Sequence, residues 1–468
     1  MTPIETLKKE ILEKVAQYAR SMKSGEDIFT PGQNNVPYSG RVYDENEMVN
    51  LVDSSLEFYL TAGRYDKDFC TKLSLFLSAL TKKRIRVLTA NSGSSANLLA
   101  ISALTSYKLG DLALKEGDEI ITVAAGFPTT VAPIFQNRLV PVFVDVALSS
   151  YNINPSLIEN ALTSRTKAIF VAHTLGIPFD LNRVLSIAEK YKLWVIEDNC
   201  DALGAEYTLS REYSLIKDRK VSGTRYTGTC AHIATSSFYP AHQITMGEGG
   251  AVYTYDNDLY NVLISLRDWG RDCWCLPGKD NTCGKRFSWK FGNLPEGYDH
   301  KYIYSHLGYN LKITDMQAAI GLAQLDKLPL FKDRRFENWT FLQEETKDLG
   351  EFFILPEYPE EAKPSPFGFA LTVRKEAGFT RSDITRFLES QKIQTRTVFS
   401  GNIVRQPAVV NGGLKYRVSG ILKNTDTVMQ DTFWIGVYPG LRKEMLVFMV
   451  EKIREFVSQK KPSVVIHK

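Results

Sequence analysis

Apolar residues fall into a helical period from the first turn of the chain. Ile4, Leu7, Ile11, Val15 and Tyr18 share one face, which predicts an N-terminal helix. A polar arm over 25–44 follows, where Pro31, Pro37 and several glycines and asparagines predict an extended crossing segment. After a charge-rich helical stretch the pattern becomes an alternation. Apolar runs at 84–89, 119–123, 139–144, 167–172 and 193–196 read as strands, and 96–103, 128–136, 155–162 and 181–191 read as helices between them. Strands separated by helices predict an α/β fold with a mainly parallel central sheet and helices on both faces. In open sheets of this kind, ligands collect at the carboxyl ends of the strands. Further on, 308–328 joins a turn to a helix with Thr314 as N-cap. From about Arg335 the pattern shifts to shorter elements, such as a strand at 367–373 and a helix at 382–390, and it ends in a helix at 442–457. The expected organisation is an arm at 1–44, a large domain at 45–335 and a smaller α+β C-terminal domain at 336–468.

A chain of 468 residues exceeds one small core, which agrees with two domains. With 44% hydrophobic residues, 24% charged residues and a net charge of +4, it has the composition of a soluble globular protein. That balance gives no electrostatic case for nucleic acid or a membrane surface. No apolar run reaches the length of a membrane span, and the first twenty residues lack the apolar core of a signal peptide. A cytoplasmic protein is expected, in which disulfides are an improbable use for the six cysteines.

Two stretches carry chemistry. The run at 84–89 stops at Asn91-Ser92-Gly93-Ser94-Ser95 and continues as a helix. A small-residue turn opening a helix suits phosphate, because unpaired amides and the helix dipole both point at the anion. Such turns are usually plain connections, so this one matters through its company. The second stretch is 235–254. Ser236-Ser237-Phe238 closes a strand, Pro240 and Gly247-Glu248-Gly249-Gly250 mark a tight loop, and Ala251-Val252-Tyr253 opens the next strand. The connection presents His242.

This second stretch resembles the active-site loop of the nucleotide-sugar aminotransferase family (the DegT, DnrJ and StrS group), whose members have the PLP-dependent transferase fold of type I. There Ser-Phe is followed by a lysine, five residues after the serine, and then by Gly-Glu-Gly-Gly. The family's lysine forms a Schiff base with pyridoxal phosphate. His242 occupies its position here. Imidazole has no primary amine and cannot tether pyridoxal phosphate, yet it keeps the lysine's other task of proton transfer. The expected cofactor is therefore pyridoxamine 5'-phosphate, held without a covalent bond. The resemblance further implies that Gly93, Ser94 and Ser237 bind the phosphate, that Phe127 lies over the ring, and that Asp198 faces the ring nitrogen. Asn310, in Gly308-Tyr309-Asn310, matches an asparagine that reaches the phosphate of the neighbouring subunit, which implies a homodimer.

Cys273, Cys275 and Cys283 crowd into eleven residues of a chain with only three other cysteines. One residue between paired cysteines fits zinc poorly, whereas a [2Fe-2S] cluster needs a fourth thiolate, for which Cys70, Cys200 and Cys230 are the candidates. One branch of the family, the CDP-4-keto-6-deoxyglucose 3-dehydrase type, resembles this chain in both the histidine and the C-x-C-x7-C spacing. That resemblance selects Cys200, in Glu197-Asp198-Asn199-Cys200-Asp201. The stretch 207–223, with Arg211, Lys217, Asp218, Arg219 and Lys220, departs from the family pattern and is expected as an inserted, solvated loop. Arg396 and Arg405, beside Gly401-Asn402, are candidates for a sugar diphosphate.

The function implied is removal of the C3 hydroxyl from a nucleotide-linked 4-keto-6-deoxyhexose, with CDP-4-keto-6-deoxyglucose as the first choice. This belongs to the making of 3,6-dideoxyhexoses such as those of lipopolysaccharide O-antigens. His242 would move the proton, and a separate NAD(P)H-dependent flavin/iron-sulfur reductase would deliver electrons through the cluster. The rival readings are a reductase-independent sugar 3-dehydratase, a sugar aminotransferase, and a non-catalytic relative.

Overall fold

The computed structural model describes residues 2–23, 28–81, 83–273, 275, 280–282 and 284–460. Helix α1 (Pro3–Lys23) packs on α2 (Glu45–Glu57). The predicted apolar face of α1 is only partly used, since Ile4, Leu7 and Tyr18 are 76%, 56% and 60% exposed. The less exposed seam runs through Ile11, Leu12, Val15, Ala16 and Ala19 instead. Two causes fix this rotation: the small alanines admit a close neighbour, and Lys8 pairs with Asp53 (2.5 Å) and Glu57 (3.3 Å) of α2. The arm crosses to the C-terminal part of the chain as expected, with the Val36 amide donating to the Lys392 carbonyl at 2.8 Å and the Gln394 amide to that of Val36 at 3.0 Å.

Next comes α3 (Arg64–Ser78), followed by the expected alternation of β1 (Arg86–Ala90), α4 (Gly93–Leu104), β2 (Glu119–Val123), α5 (Pro128–Gln136), β3 (Val140–Val144), the short α6 (Ile158–Ala161), β4 (Thr166–Ala172), α7 (Leu181–Tyr191) and β5 (Trp194–Asp198). Every residue of β2 and β5 is buried, as a sheet covered on both faces requires.

The stretch 207–223 is not a solvated loop. It forms an ordered hairpin, β6 (Glu206–Leu215) and β7 (Arg219–Tyr226). Tyr207, Leu209, Tyr213, Leu215 and Val221 are buried while Arg211, Glu212 and Lys220 face outward, a period of two that the charge cluster conceals; Arg219 turns inward, donating to the Thr229 carbonyl at 2.6 Å. The hairpin is fastened to α7, where Glu189 takes Arg211 and the Ser214 amide, both at 2.6 Å. Its tip reaches Asp256 through Lys217 at 2.9 Å.

The chain continues through β8 (Ile233–Ser237), β9 (Gly250–Thr254), α8 (Asn257–Arg267) and the long α9 (Asp315–Thr346), which Thr314 starts with a capping box as expected. Residue 335, the anticipated domain boundary, lies inside α9. Beyond it come β10 (Phe353–Ile354), β11 (Ala362–Lys363), β12 (Gly368–Val373), α10 (Arg381–Ser390), β13 (Thr395–Arg396), α11 (Pro407–Val410), β14 (Arg417–Val418), α12 (Lys423–Asp431), β15 (Thr432–Gly436) and α13 (Lys443–Ser458).

The large sheet has the order β1-β9-β8-β5-β4-β2-β3-β14. Only β9 runs against the others, so β1, β2, β5 and β8 end on the same edge. A second, antiparallel sheet has the order β10-β12-β15-β13, and β11 joins the hairpin. The C-terminal portion is thus locked to the large sheet through β14. There Arg417 reaches the buried Glu119 at 2.7 Å.

Candidate functional site

Gly93, Phe127, Asp198 and Ser237 lie where β1, β2, β5 and β8 end. Ser92 caps α4 by accepting from the Ser95 amide at 3.1 Å, which leaves Gly93 at the helix entrance. A Cβ on Gly93 would stand 2.4 Å from Ser237 Cβ and 3.0 Å from Cys200 Sγ, so only glycine lets the ends of β1, β5 and β8 close together. Gly93 is buried, Ser94 is exposed and Ser237 is half-buried, so the turn offers amides and hydroxyls at a helix N-terminus.

Asp198, at the end of β5, is buried and firmly held. Its Oδ2 accepts from Asn97 Nδ2 at 2.9 Å and from Thr130 Oγ1 at 2.7 Å, and its Oδ1 accepts from the Cys200 amide at 3.1 Å. Asn97 is fixed in turn by Thr235 Oγ1 at 2.6 Å. Neither Asn97 nor Thr130 stood out in the sequence. A polar residue inside the apolar run of α4 was the available signal for Asn97.

His242 sits in the connection after β8, its amide bonded to the Tyr239 carbonyl at 3.0 Å. Its Nε2 is 3.5 Å from Asp201 Oδ1, an ion-pair distance rather than a hydrogen bond. Its Nδ1 is buried and bonds to no described protein group. Arg335, buried in α9, clamps the loop from below by donating to the Ala241 carbonyl at 3.1 Å and the His242 carbonyl at 2.9 Å. Burial pulls the guanidinium down to about 10, against the favourable charge of Asp201. Gln243 ties the same loop to the Asp201 carbonyl and, at 3.0 Å, to that of Ser365. Asp201, Gln243 and Arg335 were not found from sequence, since nothing local marks them.

A row of rings leads outward from His242. Phe367 lies 5.3 Å from the imidazole, Trp434 is 5.4 Å from Phe367, and Tyr38 of the arm is 5.4 Å from Trp434. The guanidinium of Arg396 lies 3.9 Å over Tyr38. Arg396 therefore stands at the outer end of a row that starts at His242, exposed at its own position. Arg405 is engaged differently, in an ion pair with Asp426, which also accepts from Asn402 at 2.7 Å. Phe127, at the N-cap of α5, is half-exposed at the same edge as Asp198. Asn310 is exposed and accepts from Lys312 Nζ at 2.7 Å.

The cysteines are spread more widely. Cys200 abuts Gly93, and burial beside Asp198 pushes its thiol well above the ordinary range. Cys273 and Cys275 follow α8 and line a small cavity with Asp280, Arg286 and His300. Cys275 also borders a cleft of about 1070 Å³ that Cys70 shares. Cys283 lies outside the described residues. Among the described residues, which leave out Cys283, no group of three or more His, Cys, Asp or Glu is placed to hold a metal ion. The residues fit pyridoxamine phosphate: the turn at Gly93 suits a phosphate, a braced carboxylate suits a ring cation, and among the described residues the buried Nδ1 of His242 has no partner.

Residues 42–454 match the model of the DegT/DnrJ/EryC1/StrS aminotransferase family. The chain belongs to that family. It is 52% identical over 450 residues to the lipopolysaccharide biosynthesis protein RfbH of Salmonella typhimurium, covering 96% of this chain and 98% of that protein. It is 48% identical over 452 residues to a dTDP-4-dehydro-2,6-dideoxy-D-glucose 3-dehydratase of Saccharopolyspora spinosa, covering 97% and 92%. Among solved structures, an E. coli GDP-4-keto-6-deoxy-D-mannose-3-dehydratase with bound hydrated PLP superposes with a TM-score of 0.76 at 26% identity, covering 90% of this chain and 99% of that one. These likenesses bear out the expected family and its α/β aminotransferase fold. No helix among the described residues is long and apolar enough to cross a membrane.

Proposed function

We propose that this family member removes the C3 hydroxyl of a nucleotide-linked 4-keto-6-deoxyhexose, with CDP-4-keto-6-deoxyglucose the first choice and a dTDP-linked sugar the second. The observation that carries the reading is His242, an imidazole where the family's Schiff-base lysine belongs, 3.5 Å from the Asp201 carboxylate. The names of the relatives, two of them nucleotide-sugar 3-dehydratases, support it.

Bound pyridoxamine phosphate would supply an amine for the C4 ketone and a protonated ring that draws off electrons. Its phosphate would be held by Ser94, Ser237 and the amides at Gly93, with Asn310 of a second copy completing the cradle in a homodimer. Phe127 would cover the ring, and the Asp198 carboxylate would keep the ring nitrogen protonated. His242 takes a proton from the carbon beside the amine and can return one to the departing C3 oxygen. Asp201 steadies the imidazole, Arg335 holds its loop, and Arg396 is proposed to meet the diphosphate.

The cysteine spacing supports a finer reading. In it Cys200, Cys273, Cys275 and Cys283 hold a [2Fe-2S] cluster, through which a separate NAD(P)H-dependent flavin/iron-sulfur reductase delivers electrons in the cytoplasm. The second reading is dehydration without a reductase, in which these thiols hold no cluster. An anaerobic assay with CDP- and dTDP-4-keto-6-deoxyglucose, with and without a reductase, tests both by following the C3 oxygen. Transfer of nitrogen to C4 with that oxygen retained would make the chain an aminotransferase.

A further inference from the structure

The loop 397–403 holds an aromatic residue in a backbone conformation suited to glycine. Phe399 has φ of 45°, in a turn that the Gly401 amide closes on the Val398 carbonyl at 2.8 Å. A positive φ at the first central position of a turn selects glycine, asparagine or aspartate, so a phenylalanine there is strained. Strain of this sort persists where surrounding contacts over-determine it, and functional sites are where it collects.

Those contacts are visible. Ser400 Oγ donates to the Gly126 carbonyl at 2.7 Å, and the Ile403 amide donates to the Ala124 carbonyl at 2.9 Å. Gln406 Nε2 adds a bond to the Ser400 carbonyl at 2.9 Å. The loop is thus fixed to the strand end that carries Phe127. Between these attachments the ring of Phe399 meets that of Phe127 edge to face, with centroids 5.9 Å apart and planes at 83°. This is the geometry that the ring quadrupoles favour. Phe127 is half-exposed, and among the described residues Phe399 is its one aromatic neighbour. Phe399 is half-buried and also packs against the hydrophobic core to which Val398 and Trp434 belong.

We propose that Phe399 is a positioning residue for the cofactor ring: it fixes the orientation of Phe127, so that a set aromatic face is presented to pyridoxamine phosphate. The proposal rests on the reading of Phe127 as the ring stacker. The left-handed backbone at residue 399 is what swings the side chain toward Phe127, and the bonds from Ser400 and Ile403 hold it there.

Three full-length variants test this: Phe399→Gly, Phe399→Ala and Phe399→Tyr. Each is titrated with pyridoxamine phosphate by intrinsic fluorescence and unfolded thermally in parallel. Glycine and alanine are expected to weaken cofactor binding by a similar factor, about tenfold, while tyrosine retains it, because it keeps the ring edge. Stability should follow another order, with the glycine variant above the alanine variant, since the positive φ costs glycine little. Binding that tracks stability, with glycine the better binder, overturns the proposal in favour of a purely structural role. Unchanged affinity in Phe399→Gly, within twofold, overturns it while the reading of the site stands. Failure of the wild-type chain to bind pyridoxamine phosphate overturns the reading itself.

Discussion

His242 Nε2 and Asp201 Oδ1 stand 3.5 Å apart, and both residues hang from backbone that Gln243 ties together. A carboxylate at that nitrogen favours the tautomer with the proton on Nε2, which leaves Nδ1 as the basic atom. Nδ1 is the buried atom without a described partner. Asp201→Asn should therefore keep the fold and lower turnover on the order of a hundredfold, with a changed pH profile of kcat. An unchanged profile would separate Asp201 from the chemistry.

Replacing the imidazole distinguishes its two tasks. His242→Asn should cost between about 100-fold and 10,000-fold in rate, the range for lost proton transfer, and leave cofactor affinity nearly intact. His242→Lys restores the primary amine of the family pattern. Incubated with pyridoxal phosphate and reduced with borohydride, it should gain the mass of one covalently bound cofactor per chain, whereas the wild type gains none.

The support beneath Asp198 gives a separate expectation. Asn97→Ala removes the 2.9 Å donor to Asp198 Oδ2 and strands the Thr235 hydroxyl in a buried setting. A loss of about 1–3 kcal/mol in urea-induced unfolding is expected, together with weaker binding of pyridoxamine phosphate. Thr130→Val should act in the same direction. Variants that lose stability with no change in affinity would confine both residues to the core.

How far the sequence reached is clear from these same residues. The ends of β1, β2, β5 and β8 were legible because polar, glycine or proline residues interrupt the pattern just after them, at Asn91-Ser92-Gly93, Gly126, Asn199 and Pro240. Gly93, Phe127, Asp198, Ser237 and His242 follow from those stops together with the family pattern. Asn97, Asp201 and Arg335 did not follow, because their partners come from other elements: Arg335 lies 93 positions from the His242 carbonyl it holds. The β6–β7 hairpin was obscured because its outward charges dominate the local composition, although its inward residues alternate correctly. The exposed stripe on α1 shows the opposite error. Its period was read correctly, but period alone does not say which side has a neighbour.

The cysteine assignment separates into single substitutions. If Cys200, Cys273, Cys275 and Cys283 ligate a cluster, a serine at any one should abolish iron and acid-labile sulfide in anaerobically prepared chain. Cys70→Ser and Cys230→Ser should retain both. Iron absent from the wild type reconstituted with iron and sulfide would leave dehydration without a reductase as the working function.

Acid should loosen β14 through Glu119, whose carboxylate seats Arg417. Burial works to raise this carboxyl, but hydrogen bonds and charge from Arg417, with Thr163 and Arg165, outweigh it and hold the group at about 2. Because the folded value lies below the unfolded one, the contribution is complete above pH 4.5 and disappears as pH falls through about 2. Glu119→Gln should lower stability at neutral pH and flatten the loss of stability between pH 4.5 and 2, as measured by urea unfolding across that range. The structural consequence should be local. Arg417 would lose the carboxylate that seats β14 beside β3, and amide exchange at Val418 and Ser419, whose amide donates to the Phe143 carbonyl at 2.9 Å, should accelerate before that of the central strands.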